Sequence, residues 1–354
     1  MPPRRAFAVA ECWRPRRLSA VRGVYTWVTV VGRAERLVTD EDEFARLTEP
    51  FRRELTVHCY RMSGSAQDAK DLVQEAYLRA WRGFRDFAGR SSVRVWLYRI
   101  ATNVCLTALA RRRRDLPAGL GAPGGDTWRP PPLAGPEVAW VTPFAGGVAG
   151  EGEDPAAVVA GRGSVRLALV AALQHLPATQ RAVLLLRDVL GWRASEVADL
   201  LDTSTDAVHS LLARARERLR RAEPDEDSLR EPPPGQAQRR LLDGYARAFA
   251  DADVDGLLKV LRADVALEMP PHLSWFAGRD TVGEFLTRVV FPALGRTRLE
   301  AVTVNGGPGF AVYHGEIPHA VQAVTVTGQG IARIVSFNDP ALFTTFNLSR
   351  GSHV

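Results

Sequence analysis

Between Trp96 and Asn103 the chain carries side chains able to hold an unpaired nucleic-acid strand. Trp96, Tyr98, Arg99, Thr102 and Asn103 bring aromatic, cationic and amide groups together, and the arginines Arg111 to Arg114 follow. Bases stack on aromatic faces while arginines hold phosphates, so this mixture suits single-stranded DNA or RNA. A second set, Ser204, Thr205, Asp206, His209, Ser210 and Arg214, recurs at helical spacing, with Arg216, Arg218, Arg220 and Arg221 behind it. Such groups on the first half of a helix can meet base edges in a major groove, and the later arginines can meet phosphates. Plainer readings stand beside both: Trp96 and Tyr98 as core aromatics, and the second set as one face of a hairpin in a protein–protein module.

The elements that must position these residues follow from periodicity. In the first helical module, residues 40–114, three helices are expected. Asp42 to Met62 carries Phe44, Leu47, Phe51, Leu55 and Cys59 on one stripe; Asp68 to Phe84 carries Leu72, Ala76 and Ala80; Val93 to Arg113 carries Leu97, Ile100, Val104 and Ala108. The middle helix shows Asp68, Asp71, Gln74 and Glu75 early and Arg79 and Arg82 late, an order that suits the helix dipole and a solvated face. Residues 164–222 form a second module with four helices, Val165 to His175, Ala178 to Val189, Ala194 to Leu201 and Ser204 to Arg221. The last two make a helix-turn-helix in which Asp202 stands at the turn. Aspartate tolerates the left-handed conformation there, and Thr203 or Ser204 can cap the second helix.

Gly-, Pro- and Ala-rich sequence at 115–163, including Pro130-Pro131-Pro132, reads as a linker too poor in core formers to fold alone. A shorter break spans 223–235. Residues 1–39 show no clear period, and read either as a disordered extension or as sequence upstream of a later start. Of 354 residues 46% are hydrophobic and 24% charged, the make-up of a soluble globular chain, and no run nears the ~20 apolar residues of a membrane helix. A cytoplasmic protein is expected. The net charge of +6 is carried by arginine, since Lys70 and Lys259 are the only lysines. A guanidinium fork suits phosphate and guanine, although GC-rich coding gives the same bias. Cys12, Cys59 and Cys105 are too scattered for a disulfide framework or a metal pair, and read as small buried hydrophobes.

Two stretches of the first module carry a family resemblance. Asp71-Leu72-Val73-Gln74-Glu75-Ala76-Tyr77-Leu78-Arg79-Ala80-Trp81 resembles the core-polymerase-binding helix of extracytoplasmic-function (ECF) sigma-70 factors, and Trp96-Leu97-Tyr98-Arg99-Ile100-Ala101-Thr102-Asn103 resembles their −10 recognition helix. Leu176-Pro177-Ala178-Thr179-Gln180-Arg181, with Gly191 to Ala198, is similar to their −35-binding region. The resemblance implies that Asp71, Gln74, Glu75 and Arg79 face the β′ clamp of core RNA polymerase. It also implies that the loop holding Phe87, Arg90 and Ser91 captures a flipped base beside Trp96, Tyr98, Arg99 and Asn103, and that the second module takes the −35 DNA and the β flap. Extruding a base costs a few kcal/mol, which its capture offsets.

Residues 236–347 begin with helices at Arg239–Ala250 and Val254–Leu261. They continue through Val265–Met269, a helix at Thr281–Val290, and strands near Leu299–Val304, Phe310–Tyr313, Ala320–Val326 and Ile331–Phe337. Helices followed by an antiparallel run suggest a curved sheet wrapped around helices, an α+β cone. This pattern, with Met269-Pro270-Pro271-His272-Leu273-Ser274-Trp275 and Asp339-Pro340-Ala341-Leu342-Phe343, resembles the SnoaL-like, ketosteroid-isomerase-like domain that some ECF sigma factors carry. Glu137-Val138-Ala139-Trp140 is similar to a Glu-x-x-Trp motif in their linkers. Tyr245, His272 and Trp275 are the candidate pocket residues. Isomerases of this fold place a carboxylate where Met269 stands, and Glu268 on a strand should point the other way, so no catalytic pair, cofactor or metal site is expected. The domain is expected instead to fold back on the helical modules or their linker, a balance that a small ligand in the cone would shift.

Two other readings use the same elements: a one-component helix-turn-helix regulator with a ligand-sensing cone, and a SnoaL-type enzyme on a DNA-binding arm. The first leaves the Asp71–Trp81 and Trp96–Asn103 helices without a purpose, and Met269 counts against the second. If the first module melts and traps −10 DNA, Trp96→Ala combined with Arg99→Ala abolishes initiation from duplex promoters in run-off transcription. Undiminished starts would refute that assignment.

Overall fold

The computed structural model describes residues 40–87, 89, 91–109, 114–146, 166–221 and 235–348. Residues 1–39, Arg90 and the remainder of both linkers lie outside them. Residues 40–48 are helical, with the Thr48 hydroxyl donating to the Phe44 carbonyl at 2.7 Å. The single helix expected from Asp42 to Met62 is divided by a 3-10 turn at Glu49–Phe51, because Pro50 has no N–H to continue the ladder.

The first module continues with α1 (Arg52–Ser63), α2 (Ala66–Gly83) and α3 (Val93–Leu109). Gly64 ends α1 in the left-handed region at φ 71°, donating to the Tyr60 carbonyl. The same glycine lies against Gln174 of the second module, where a Cβ would come within 2.9 Å of that side chain. Ser65 then caps α2 by accepting from Asp68 N at 3.1 Å.

The second module contains α4 (Leu167–Gln174), α5 (Ala178–Leu184) running into a π-turn at Leu185–Val189, α6 (Ala194–Leu201) and α7 (Thr205–Arg221). Asp202 adopts the left-handed conformation at φ 49°, as the helix-turn-helix reading requires.

The third module opens with α8 (Gln236–Ala250) and α9 (Val254–Val260). β1 (Leu261–Glu268), β2 (Trp275–Ala277) and α10 (Arg279–Phe285) follow, α10 extended by a π-turn at Leu286–Val290 and by α11 (Phe291–Leu294). β3 (Thr297–Val304), β4 (Gly307–His314), β5 (Ile317–Thr327), β6 (Gly330–Phe337) and α12 (Leu342–Thr345) complete it. The sheet order is β2-β1-β6-β5-β4-β3, antiparallel except for the parallel β1–β6 pair. A purely antiparallel run was expected. β1 comes before the hairpin series and joins β6 from the far edge, which makes the sheet mixed. The strand β2 is not among the expected strands, because three residues are too few to show alternation. One face of the sheet, including Val265, Leu267, Phe310, Val312 and Ile334, packs on Tyr245, Phe249 and Phe285 of the helices.

Residues 114–146 are the main departure from expectation. Apart from a 3-10 turn at Pro117–Gly119 they form no regular helix or strand, yet they are docked along their length. At one end Arg114 pairs with Asp68 at 2.6 Å. In the middle, Gly124 N donates to Trp275 O (2.7 Å), Leu273 N to Pro132 O (3.0 Å) and Ala134 N to Pro271 O (2.9 Å). Arg288 stacks on Trp128 at 3.3 Å. At the other end Thr142 N donates to Gly64 O, Asn305 N to Phe144 O and Gly146 N to Thr303 O, each near 2.9 Å. A segment without a core of its own is thus ordered by backbone hydrogen bonds to two folded neighbours. The chain from Pro50 onward forms one compact unit.

Glu268 shows how strand alternation ties this strap to the sheet. Its neighbours Leu267 and Met269 face the core, so Glu268 faces the opposite side. There it is fully buried, pairs with Arg333 through Nε at 2.7 Å and Nη2, and accepts from Ala118 N at 2.8 Å. Removing one member of a buried pair strands the other charge. Arg333→Ala should therefore lower stability by roughly 3 kcal/mol or more in urea unfolding, and Glu268→Leu in the same chain should recover most of it. A loss under about 1 kcal/mol would contradict the pairing.

Candidate nucleic-acid interface

Helix α7 presents its two faces cleanly. Val208, Leu212 and Ala215 are buried, while Thr205, Asp206, His209, Ser210 and Arg214 are all exposed. Ser204, also exposed, caps the helix by accepting from Ala207 N at 3.1 Å. The expected reading set therefore shares one solvent-facing surface, with free N–H groups at its start favouring phosphate. Arg216 pairs with Asp188 at 2.7 Å and Arg218 donates to Gln180 at 3.3 Å. Exposed pairs of this kind are worth only about 0–1 kcal/mol, so a phosphate can displace them.

Helix α3 divides the first set in two. Trp96, Arg99 and Asn103, spaced by three and four, lie on an accessible face: Asn103 is exposed, Trp96 and Arg99 half-buried. The Phe87 ring leans on Trp96 at 4.7 Å, and half-buried Ser91 lies just ahead of the helix. Arg99 Nε is buried with no acceptor. Tyr98 is not on this face: it is 2% exposed, edge-on to His58 at 5.1 Å and to Trp192 of the second module at 6.3 Å. Two residues on from Trp96 is about 200° around a helix, so both cannot face the same partner. Thr102 goes with Tyr98, buried and bonded to His58 Nε2 at 3.0 Å. That opposition was readable in the spacing.

On α2, Asp71, Gln74 and Arg79 are exposed and Glu75 is half-buried, with Arg79 paired to Glu75 at 2.7 Å and Gln67 donating to Asp71 at 3.2 Å. Leu78 sits among them 46% exposed. The sequence marked it only as an apolar residue off the Leu72-Ala76-Ala80 stripe.

Two of the three candidate cone residues hold the strap. Trp275 Nε1 donates to Gly121 O at 2.8 Å, and His272 Nδ1 donates to Pro131 O at 2.7 Å. Tyr245 lies in the core and donates to Gln322 Oε1 at 2.9 Å, burial pushing its phenol well above the usual range. Of the three, only His272 borders the cavity beneath the sheet.

Arg181, the last residue of the Leu176-to-Arg181 motif, has a structural role that the sequence does not show. It is 2% exposed between the first two modules. Its guanidinium donates to Leu173 O (2.9 Å), Gln174 Oε1 (2.7 Å), Gln174 O (3.3 Å) and Leu176 O (3.0 Å), and across the boundary to Met62 O. Burial lowers its pKa to about 10, so it remains charged near neutrality. Gln174 Nε2 makes a second crossing bond, to Arg61 O at 3.3 Å.

Residues 47–115 match the Sigma-70 region 2 family, and residues 166–219 match Sigma-70, region 4. The chain is 46% identical over 314 residues to the ECF RNA polymerase sigma factor SigG of Mycobacterium tuberculosis, covering 86% of this chain and 84% of that protein. The chain belongs to the ECF RNA polymerase sigma factor family. It is also 28% identical over 314 residues to SigJ of the same organism, covering 84% and 92% of the two chains. The crystal structure of that SigJ shares its fold, with a TM-score of 0.55 at 23% identity over 85% of this chain and 98% of the other. The ECF resemblance and the architecture of two helical sigma modules with an α+β domain are thereby established. As a sigma factor, the chain binds core RNA polymerase and promoter DNA. Among the described residues no helix is long and apolar enough to cross a membrane.

One titration follows from this site. Burial, with the Arg61 charge second, lowers the His58 pKa from 6.5 to about 3. Below pH 6.5 the unfolded chain takes up a proton that the folded chain refuses until about pH 3, so stability falls as pH drops through that window. Urea unfolding between pH 7.5 and 5 should show this loss, and His58→Gln should reduce it. Equal pH slopes for the two proteins would contradict the burial of a neutral imidazole.

Proposed function

We propose that the structure is a closed form of this sigma factor, in which the third module and the strap hold the −10 and −35 readers together until promoter binding separates them. The carrying observation is the contact of the two readers through Arg181, Gln174 and the Tyr98–Trp192 pair. Elements centred near −10 and −35 lie about 25 base pairs apart, roughly 85 Å along B-form DNA at 3.4 Å per step. A compact body of about 300 residues is only ~50 Å across. Simultaneous engagement therefore requires the modules to part.

In the open form α7 reads −35 DNA through Thr205, Asp206, His209, Ser210 and Arg214. Trp96, Arg99 and Asn103, with the loop holding Phe87, Arg90 and Ser91, take the melted −10 strand. The acidic and amide face of α2, with Leu78 as its apolar centre, meets the β′ clamp, and the second module meets the β flap. The chain supplies promoter selectivity and strand capture in the cytoplasm, and no bond chemistry of its own. The third module, read as SnoaL-like, is the regulatory part.

Asn305 is the point where this latch can be tested. Its side chain donates to the Tyr60 hydroxyl at 2.8 Å and accepts from Phe144 N at 3.0 Å, and Tyr60 donates to Thr142 O at 2.9 Å. Asn305 has φ 52°, a conformation glycine adopts without strain. Asn305→Gly thus removes two hydrogen bonds and keeps the turn. At about 1 kcal/mol per bond the two bonds shift the closed–open balance by roughly thirtyfold at most, so run-off transcription with core polymerase should rise by up to that factor, with the same start sites. Lower or unchanged output from a variant that melts cooperatively would contradict the closed-form reading.

A further inference from the structure

The sheet, the helices and the strap line a half-open cavity of about 180 Å³, walled by Phe249, Leu267, Met269, Phe285 and Leu286. A dry apolar cavity of about 150 Å³ accepts a benzene ring, so this one has room for a single substituted ring. Its polar lining comes from His272, His319, Gln322, Ser336 and Asn338, and among the described lining residues none is Asp, Glu, Lys or Arg. A carboxylate or ammonium group inside would lose part of its water and find no carboxylate, lysine or arginine to pair with. Burial and the neighbouring His314 lower the His319 pKa, which keeps that ring neutral.

Hydrogen-bonding roles in the lining are set from outside the cavity. Gln322 Oε1 is taken by the Tyr245 hydroxyl, which leaves its amide NH₂ as the donor end. His272 Nδ1 donates to Pro131 O, so in the neutral ring Nε2 is an acceptor. The lining can thus receive a hydroxyl or meet a carbonyl.

Pro130 and Pro131 of the strap also border the cavity. They are held by the same loop that lines it, through Leu273 N to Pro132 O and Ala134 N to Pro271 O. We propose that this cavity binds a neutral single-ring compound carrying one hydroxyl or carbonyl, and that the bound ring holds the strap down. Contacts to Pro130 and Pro131 exist only while the strap is docked, so the ligand binds the closed arrangement better and favours it. The site stands on the cavity alone; its effect on transcription rests on the closed-form reading.

The test titrates the full chain with phenol, cyclohexanone and benzoate, followed by calorimetry and thermal melting. Phenol or cyclohexanone should bind saturably and raise the melting temperature, and benzoate should bind at least about tenfold more weakly. Leu286→Trp fills the wall, and Ala293→Trp blocks the cavity from an exposed position on its lining. Each should abolish binding while melting cooperatively. Benzoate binding as tightly as phenol, no saturable binding by either neutral probe, or binding that survives Ala293→Trp would overturn the site. In run-off transcription, a saturating neutral probe should reduce output from the unmodified chain and leave Ala293→Trp unaffected. Binding without a change in output would overturn the coupling, while the Asn305→Gly comparison would still judge the closed form.

Discussion

The arrangement of the first two modules depends on one buried cation. Arg181 sits between them, and its described acceptors are carbonyl oxygens and one amide oxygen rather than a carboxylate. Desolvating a guanidinium is costly unless every donor finds an acceptor. The acceptors here are carbonyls left at the end of α4 and the Met62 carbonyl near the end of α1, groups that helix ends leave without intrahelical partners. One cation therefore satisfies helix ends in both modules. The interface is specific because separating the modules would leave Met62 O and Arg181 to find new partners, which water or a polymerase surface can provide.

The strap extends that logic to the third module. Its sequence offers few apolar anchors, so backbone hydrogen bonds and aromatic stacking do the holding. Each contact is small, about 1 kcal/mol net, and the contacts are distributed from Asp68 to Thr303. Contacts of this size can be released one after another, each at a small cost. The cavity beneath Pro130 and Pro131 lies at the part of the strap where a ligand could alter that balance.

Much of the reading machinery was legible before any coordinates. The α7 face followed from helical period, and Asp202 in the left-handed region followed from its place between two amphipathic helices. Glu268 turned away from the cavity because strand side chains alternate. Tyr98 turns away from Trp96, as the spacing of 96, 99 and 103 against 98 and 102 requires. Leu78 and Arg181 could be seen in the motifs, but their exposure and burial could not.

What the sequence determined by itself is local: helix and strand periods, caps, turns, and the residue types able to meet bases, phosphates and the polymerase. These depend on interactions within a few residues, which a linear pattern records. The tertiary structure alone decided that 114–146 is a docked strap, that His272 and Trp275 hold it, and that the first two modules meet through Arg181 and Gln174. Those outcomes rest on hydrogen bonds such as Asn305 to Tyr60 and Ala118 to Glu268, between residues far apart in the chain. Backbone donors and acceptors look alike at every position in a sequence, so only the fold shows which of them meet.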